Sequence, residues 1–416
     1  MATQDTKLAW LQQVLGVGQA QASGSTPGTT RQPARKISAS DFTEEVTKQG
    51  DKAAEHFLSG EVAELKKLGL DTSRLQKDQQ FQQKALKAAM ALPEGAERTA
   101  AMERIRLRLE ELQEHAEALK TATEAVMAGA KGKPSAAQKS AIYQKALEDH
   151  YGLAITVPAG MSNTHFDRVF DMMGTVPKSQ VEHGKLKKLT YDKTADWKGS
   201  GAYGGAEVLM GDFGRAKGAE NYEVDGKVLP ANSFDVTMLH EMGHALDDAE
   251  GIMSAHGALS GCGGWKSETK ASVAAAMLDH YKATETMGGT LDEAAVLAAI
   301  DTALDSATPA APSGVDPDDW NDLLDFIVRV VYPSTEDADP WFNPAPVSLG
   351  GRCYLESYTD EWWSFEHAAR GKTRVNDYQW RSPAEWFAEV YAISWLKRTK
   401  PPAAVDASVA AYMWQD

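Results

Sequence analysis

The chain has 416 residues, 43% hydrophobic and 25% charged, an ordinary globular balance with room for two or three domains that excludes disorder of the whole. Its net charge is −16, from 43 Lys and Arg against 59 Asp and Glu, and no basic cluster is long enough to follow a phosphate backbone, so nucleic-acid binding is disfavoured. No apolar run reaches the roughly 18 residues of a membrane span, and two cysteines, Cys262 and Cys353, exclude a disulfide scaffold or a Cys-rich zinc site while leaving free thiols or a single bridge open.

Residues 1–40 hold one short apolar patch, Leu8 to Val17, followed by GQAQASGSTPGTTRQPARK. That composition cannot bury a core and reads as a flexible linker. The first residues carry too little positive charge and too short an apolar stretch for a secretory signal, so synthesis ending in the cytoplasm is expected. Residues 41–130 are nearly free of aromatics and rich in Ala, Leu, Glu, Lys and Gln, which favours helix, and a helical domain over 41–150 is expected. Met102, Ile105, Leu109, Leu112, Ala116, Leu119, Thr123 and Val126 recur in steps of three and four, a heptad seam for lengthwise packing on a partner helix. The preceding segment, with Phe42, Val46, Phe57, Val62 and Leu65, supplies such a partner, and Gly129, Gly132 and Pro134 end the long helix. A helical hairpin or small bundle is expected.

From about residue 151 the texture changes. Leu153–Val157, Lys185–Tyr191 and Ala206–Met210 read as strands, the last introduced by glycines. An extended substrate could pair with Ala206–Met210 if that strand edged a cleft. Tyr222–Leu229 carries an Asp-Gly pair between β-prone residues, a hairpin signal. Helices follow, and the order predicts an α+β domain over 151–416. Between Asp247 and Gly350 lie 18 acidic and 4 basic residues, an acidic insertion at about 250–350 that reads as a solvated face. Its segment DPDDWND lacks the Gly and the closing Glu of an EF-hand loop. The last hundred residues hold 8 of the 11 tryptophans, and Glu361–His367 among them reads as core.

The chemistry sits in two blocks. Asn232 or Ser233 can cap a helix in which Val236, Leu239, Gly243 and Leu246 form a core stripe. On it, His240 and His244 are four apart, so both imidazoles face one point and can hold one zinc ion, with Glu241 beside that point to take a proton from water. A third protein ligand is needed. The metzincin pattern is excluded, because Glu250 and Asp247 stand where it needs His and Gly. His256 lies outside the helix. A glutamate on a second helix is the other solution. In Tyr378–Tyr391, Ser382-Pro383 marks a helix start and Glu385 and Glu389 share a face. Ser382 and Glu385 also fit a capping box, yet two carboxylates on an otherwise apolar helix need a buried partner.

HEMGHALDD together with Y-x6-E-W-F-A-E resembles the catalytic domain of the anthrax lethal factor family, gluzincin peptidases that include the Pro-Pro endopeptidases. The resemblance implies a zincin-like domain with a mixed sheet, an active-site helix and C-terminal helices. It implies that His240, His244 and Glu385 bind Zn2+, that Glu241 is the general base and that Tyr378 donates to the oxyanion. Glu389 would support the site from behind, and Asp248 would support a ligand histidine. The function implied is a zinc-dependent endopeptidase acting on protein or peptide. A zinc hydrolase of cell-wall peptide or another amide, or a zinc-binding protein without turnover, would share the ligands. The interval of 141 residues from His244 to Glu385 exceeds the family's usual one, the acidic stretch supplying the excess. A helical region fused to such a peptidase is a layout of bacterial toxins and injected effectors, with the N-terminal region as the part that meets the secretion machinery.

Overall fold

The computed structural model describes residues 36–161, 164–181, 186–192, 201–211, 219–284, 292–305, 309–313, 315–331, 348–357 and 361–414. The linker expected at the N-terminus lies, up to residue 35, outside the described residues. The fold is α+β with a helical N-terminal region. Helices α1 (Ala39–Gln49), α2 (Ala53–Leu68), α3 (Ser73–Ala91), α4 (Ala96–Val126) and α5 (Ala136–Tyr151) come first. The heptad seam of α4 is its buried side: Ile105, Leu109, Leu112, Ala116, Leu119 and Thr123 face α2, α3 and α5. Leu58, Val62 and Leu65 of α2 and Phe42 and Val46 of α1 complete this core. Each fully buried leucine here contributes about 1.5–3 kcal/mol. Local signals set the ends. The Ser38 hydroxyl accepts from the Asp41 N–H at 3.0 Å, Ser135 and Gln138 form a capping box, and Gly152 closes α5 at φ 71°.

The chain then enters a sheet through β1 (Ala154–Thr156), α6 (Phe166–Met173), α7 (Lys178–Val181), β2 (Lys188–Tyr191), β3 (Gly201–Gly204) and β4 (Glu207–Met210). The order is β1-β2-β4-β3, parallel except for β3. This corrects one expectation: Ala206–Met210 is an internal strand, and the edge beside it is β3. Gly205 and Ala206, at φ 59° and 63°, form the two-residue turn that folds Gly201–Gly204 back onto the open side of β4. The glycines ahead of β4 are thus a strand and its turn. Val208, Leu209 and Met210 are buried, as an inner strand requires. The helical region is joined to this part by Arg108 of α4. Its guanidinium donates to the carbonyls of Gly174, Thr175 and Val176, in the segment that follows α6. Nearby, His115 stacks on Phe170 at 3.8 Å and its Nδ1 lies 2.8 Å from the Tyr151 hydroxyl. Burial holds this imidazole well below the usual histidine range.

The chain divides into two compact units. One comprises the described residues between 36 and 211 with Ser233–Ala245; the other comprises Ala219–Asn232 with those between 246 and 414. In the second, strands β5 (Ala219–Val224) and β6 (Lys227–Asn232) form the expected hairpin. Asp225 and Gly226 turn it at φ 47° and 76°, the left-handed pair of a type I′ turn. A three-stranded antiparallel sheet, β7-β9-β8, joins β7 (Lys266–Glu268), β9 (Trp362–Glu366) and β8 (Arg352–Glu356). The tryptophan segment is therefore a strand, with Trp362 and Phe365 buried and Trp363 half-buried. The acidic stretch is more than a solvated face. Its helices α10 (Lys270–Thr284), α11 (Glu293–Ala303) and α12 (Pro317–Val331) enclose Met277, Leu278, Ile300, Trp320 and Leu323, which cluster with Trp362 of β9. Cys262 and Cys353 are buried free thiols, pushed up to about 11 by burial. No helix among the described residues is long and apolar enough to cross a membrane.

Candidate metal centre

Helix α8 (Ser233–Glu250) leaves the hairpin directly. Val236, Leu239 and Leu246 are buried along the expected stripe. Its first turn is anchored by Asp235, which accepts from Arg168 of α6 at 2.7 Å. One turn on, His240 is buried and His244 half-buried. Their Nε2 atoms stand 2.9 Å apart with the rings nearly perpendicular, at 84°. Glu241, between them in sequence, is 4% exposed.

The edge strand β3 lies against this helix. A Cβ on Gly201 would come within 2.7 Å of Thr237 Cγ2 and 3.0 Å of Glu241 Oε1. Only glycine allows the backbone so near the carboxylate. Two residues along the strand, on the same face, the Tyr203 ring lies parallel to the His244 imidazole, 18° off with centroids 6.4 Å apart. Its hydroxyl accepts from the Ala206 N–H at 3.2 Å. Sequence reasoning missed both residues. The available signal was the glycine-rich run GAYGG, which marks close backbone approach as well as a turn.

After α13 (His367–Thr373), the second block folds as a 3-10 turn, Tyr378–Arg381, followed by α14 (Pro383–Lys397). Ser382 caps α14, its hydroxyl accepting from the Glu385 N–H at 3.1 Å. Half of the capping box is therefore present, while the Glu385 carboxylate is engaged elsewhere. Every residue from Glu385 to Trp395 is buried. Water cannot solvate the two carboxylates, so other groups must. The Tyr378 hydroxyl donates to Glu385 Oε1 at 3.4 Å, and the Asn376 amide donates to Glu389 Oε2 at 2.7 Å. The turn is held by Gln379, which accepts from the Val375 N–H at 2.5 Å and donates to the Thr373 carbonyl at 3.0 Å. Asp377 adds ion pairs to Arg370 at 2.6 Å and Arg374 at 2.8 Å.

His240, His244 and Glu385 form one buried group that could bind a metal ion, with one ligand atom from each and all three atoms within 4.8 Å of one another. Comparison of the chain with protein-family models, with curated proteins and with solved structures finds no match in any of the three. The remaining expected residues are placed as follows. Glu389 is buried and accepts from the Asn376 amide, and Tyr378 touches Glu385. Asp248 is exposed on the last turn of α8; its neighbour Asp247 accepts from the Met253 N–H at 2.7 Å. His256 sits in α9 (Ile252–His256) with its Nδ1 3.3 Å from Ser408 Oγ, outside the group.

Proposed function

We propose that the protein is a zinc-dependent endopeptidase. The observation that carries this reading is the convergence of two imidazoles and one carboxylate, with a second carboxylate, Glu241, buried on the histidine helix. The donor set suits zinc: His2Glu is a catalytic zinc set that leaves a coordination place open. The Nε2 atoms of His240 and His244, 2.9 Å apart, and a carboxylate oxygen of Glu385 would hold the ion.

Bound zinc would supply Lewis acidity, which activates water and polarises a carbonyl. The chain's own groups supply the rest. Glu241 accepts the proton of the attacking water and returns it to the leaving amine. Tyr378, whose hydroxyl points at Glu385, donates to the oxygen on which negative charge develops. The β3 edge, which passes Glu241 at Gly201 and His244 at Tyr203, offers main-chain hydrogen bonds to an extended peptide. The presence of Glu241 and Tyr378 favours turnover over a structural site, which needs neither. As an injected effector, the protein would use its N-terminal helical region for delivery.

The test is digestion of a peptide library with and without a chelator, followed by zinc restoration. Cleavage inside peptides that is lost on chelation and regained with zinc is the expected result. Stoichiometric zinc without cleavage of any peptide would overturn the endopeptidase reading.

A further inference from the structure

We propose that Arg381 is the positioning residue of Tyr378, its guanidinium lying on the phenol ring and aiming the hydroxyl at Glu385. This rests on the role given to Tyr378 above. The two residues are the first and last of the 3-10 turn Tyr378–Arg381. Residues three apart in such a turn lie near one another, and here the backbone bends at Trp380, φ −92° and ψ 17°. The Arg381 guanidinium carbon stands 4.6 Å from the Tyr378 ring centroid, within cation–π range. Arg381 is buried while Tyr378 is half-buried, so the cation forms the protected side of the ring. The backbone under the pair is fixed independently. Gln379 ties the turn to Val375 and Thr373, Asp377 ties it to Arg370 and Arg374, and the Asn376 amide ties it to Glu389. These bonds hold the main chain, the Tyr378 hydroxyl meets Glu385 Oε1, and the guanidinium covers one face of the ring between them.

The test separates this role from the peptidase reading. Metal-free protein is labelled with 3-fluorotyrosine, and the Tyr378 signal, one of 12 tyrosines, is identified by its loss in Tyr378→Phe. Arg381→Met should move that signal toward the position of a solvent-exposed, freely rotating ring, and Arg381→Lys should move it less. An unmoved signal in Arg381→Met, in a variant with unchanged thermal unfolding, overturns the proposal whatever the protein's activity. With cleavable peptide, Arg381→Met should lower kcat about 3- to 30-fold with KM little changed, the range a partly desolvated cation–π contact spans. The same change in a Tyr378→Phe background should have no further effect. An equal loss in both backgrounds overturns it, because Arg381 would then act on something other than Tyr378.

Discussion

The pH dependence of stability has a specific source in Asp171. Its carboxyl, on α6, is faced by Arg74 of α3, Asp71 ahead of α3, Asp167 on its own helix and Asp235 at the start of α8. Tyr143 of α5 also faces it. Burial raises it most, the three aspartates raise it further and Arg74 opposes them, leaving it at about 7 against an ordinary 3.8. The folded state thus binds one proton more than the unfolded state between about pH 4 and 7. Stability therefore falls as pH rises through that window and levels off above it. At 1.36 kcal/mol per pH unit, the ionised folded form is about 4 kcal/mol less stable than the neutral one. Asp171→Asn mimics the neutral form and leaves Arg74 its second carboxylate, Asp78, at 3.9 Å. The variant should exceed the parent in unfolding free energy by about 4 kcal/mol at pH 8 and by about 1–2 kcal/mol at pH 5. Urea denaturation of both proteins at fixed ionic strength measures the gap. The comparison cancels His115, whose depressed value acts in the opposite sense, removing stability as pH falls below the usual histidine range. A gap that stays constant from pH 5 to pH 8 would refute the assignment of the shift to Asp171.

Three further outcomes are expected. Glu241→Gln should keep one zinc per chain and lose about 10²–10⁴-fold in kcat, and Tyr378→Phe should keep zinc and lose about 10²–10³-fold; wild-type turnover in either variant contradicts its assigned role. Gly201→Ala places a methyl within 2.7 Å of Thr237 Cγ2 and 3.0 Å of Glu241 Oε1, so it should destabilise the fold by about 1–3 kcal/mol and reduce activity; full stability in a melting experiment would show that β3 does not press on α8. Cys262 and Cys353, buried and pushed up to about 11, should react with a disulfide reagent only on unfolding; prompt reaction of either thiol in the native protein speaks against their burial.

What the sequence made legible was local. The Asp-Gly hairpin, the histidine helix, the Ser-Pro start of α14 and the α4 seam each follow from a signal within a few turns of chain. What it concealed was pairing over distance. The β7-β9-β8 sheet joins Lys266–Glu268 to Trp362–Glu366, across a stretch whose acidity hides the apolar residues that pack under it. The edge strand Gly201–Gly204 carries no alternation of apolar and polar residues, so glycines that form a strand looked like a prelude to one. Helix α14 is buried on every side, and a helix without a polar face has no periodicity by which to orient Glu385 and Glu389.

That last pair shows how the structure separates residues that helical spacing leaves equivalent. Glu385 and Glu389 are four apart on one face, 3% and 5% exposed, and either could serve as the third ligand by spacing alone. Their surroundings differ. Glu389 meets a neutral amide at 2.7 Å, a strong and short contact that fixes the turn before the helix. Glu385 meets a phenol at a longer 3.4 Å and shares its site with two imidazole nitrogens. A carboxylate opposite a neutral amide braces structure, whereas one opposite two converging imidazoles completes a metal donor set. Glu385→Ala should therefore fail to retain zinc through dialysis, with its fold intact. Glu389→Ala should retain one zinc but open the segment from Thr373 to Arg381, seen as faster amide exchange there, and Glu389→Gln should restore protection because its side-chain carbonyl still accepts from Asn376. Zinc measured by elemental analysis, set beside exchange rates for that segment, decides between the two roles: zinc lost from the Glu389 variant and kept by the Glu385 variant would reverse the assignment.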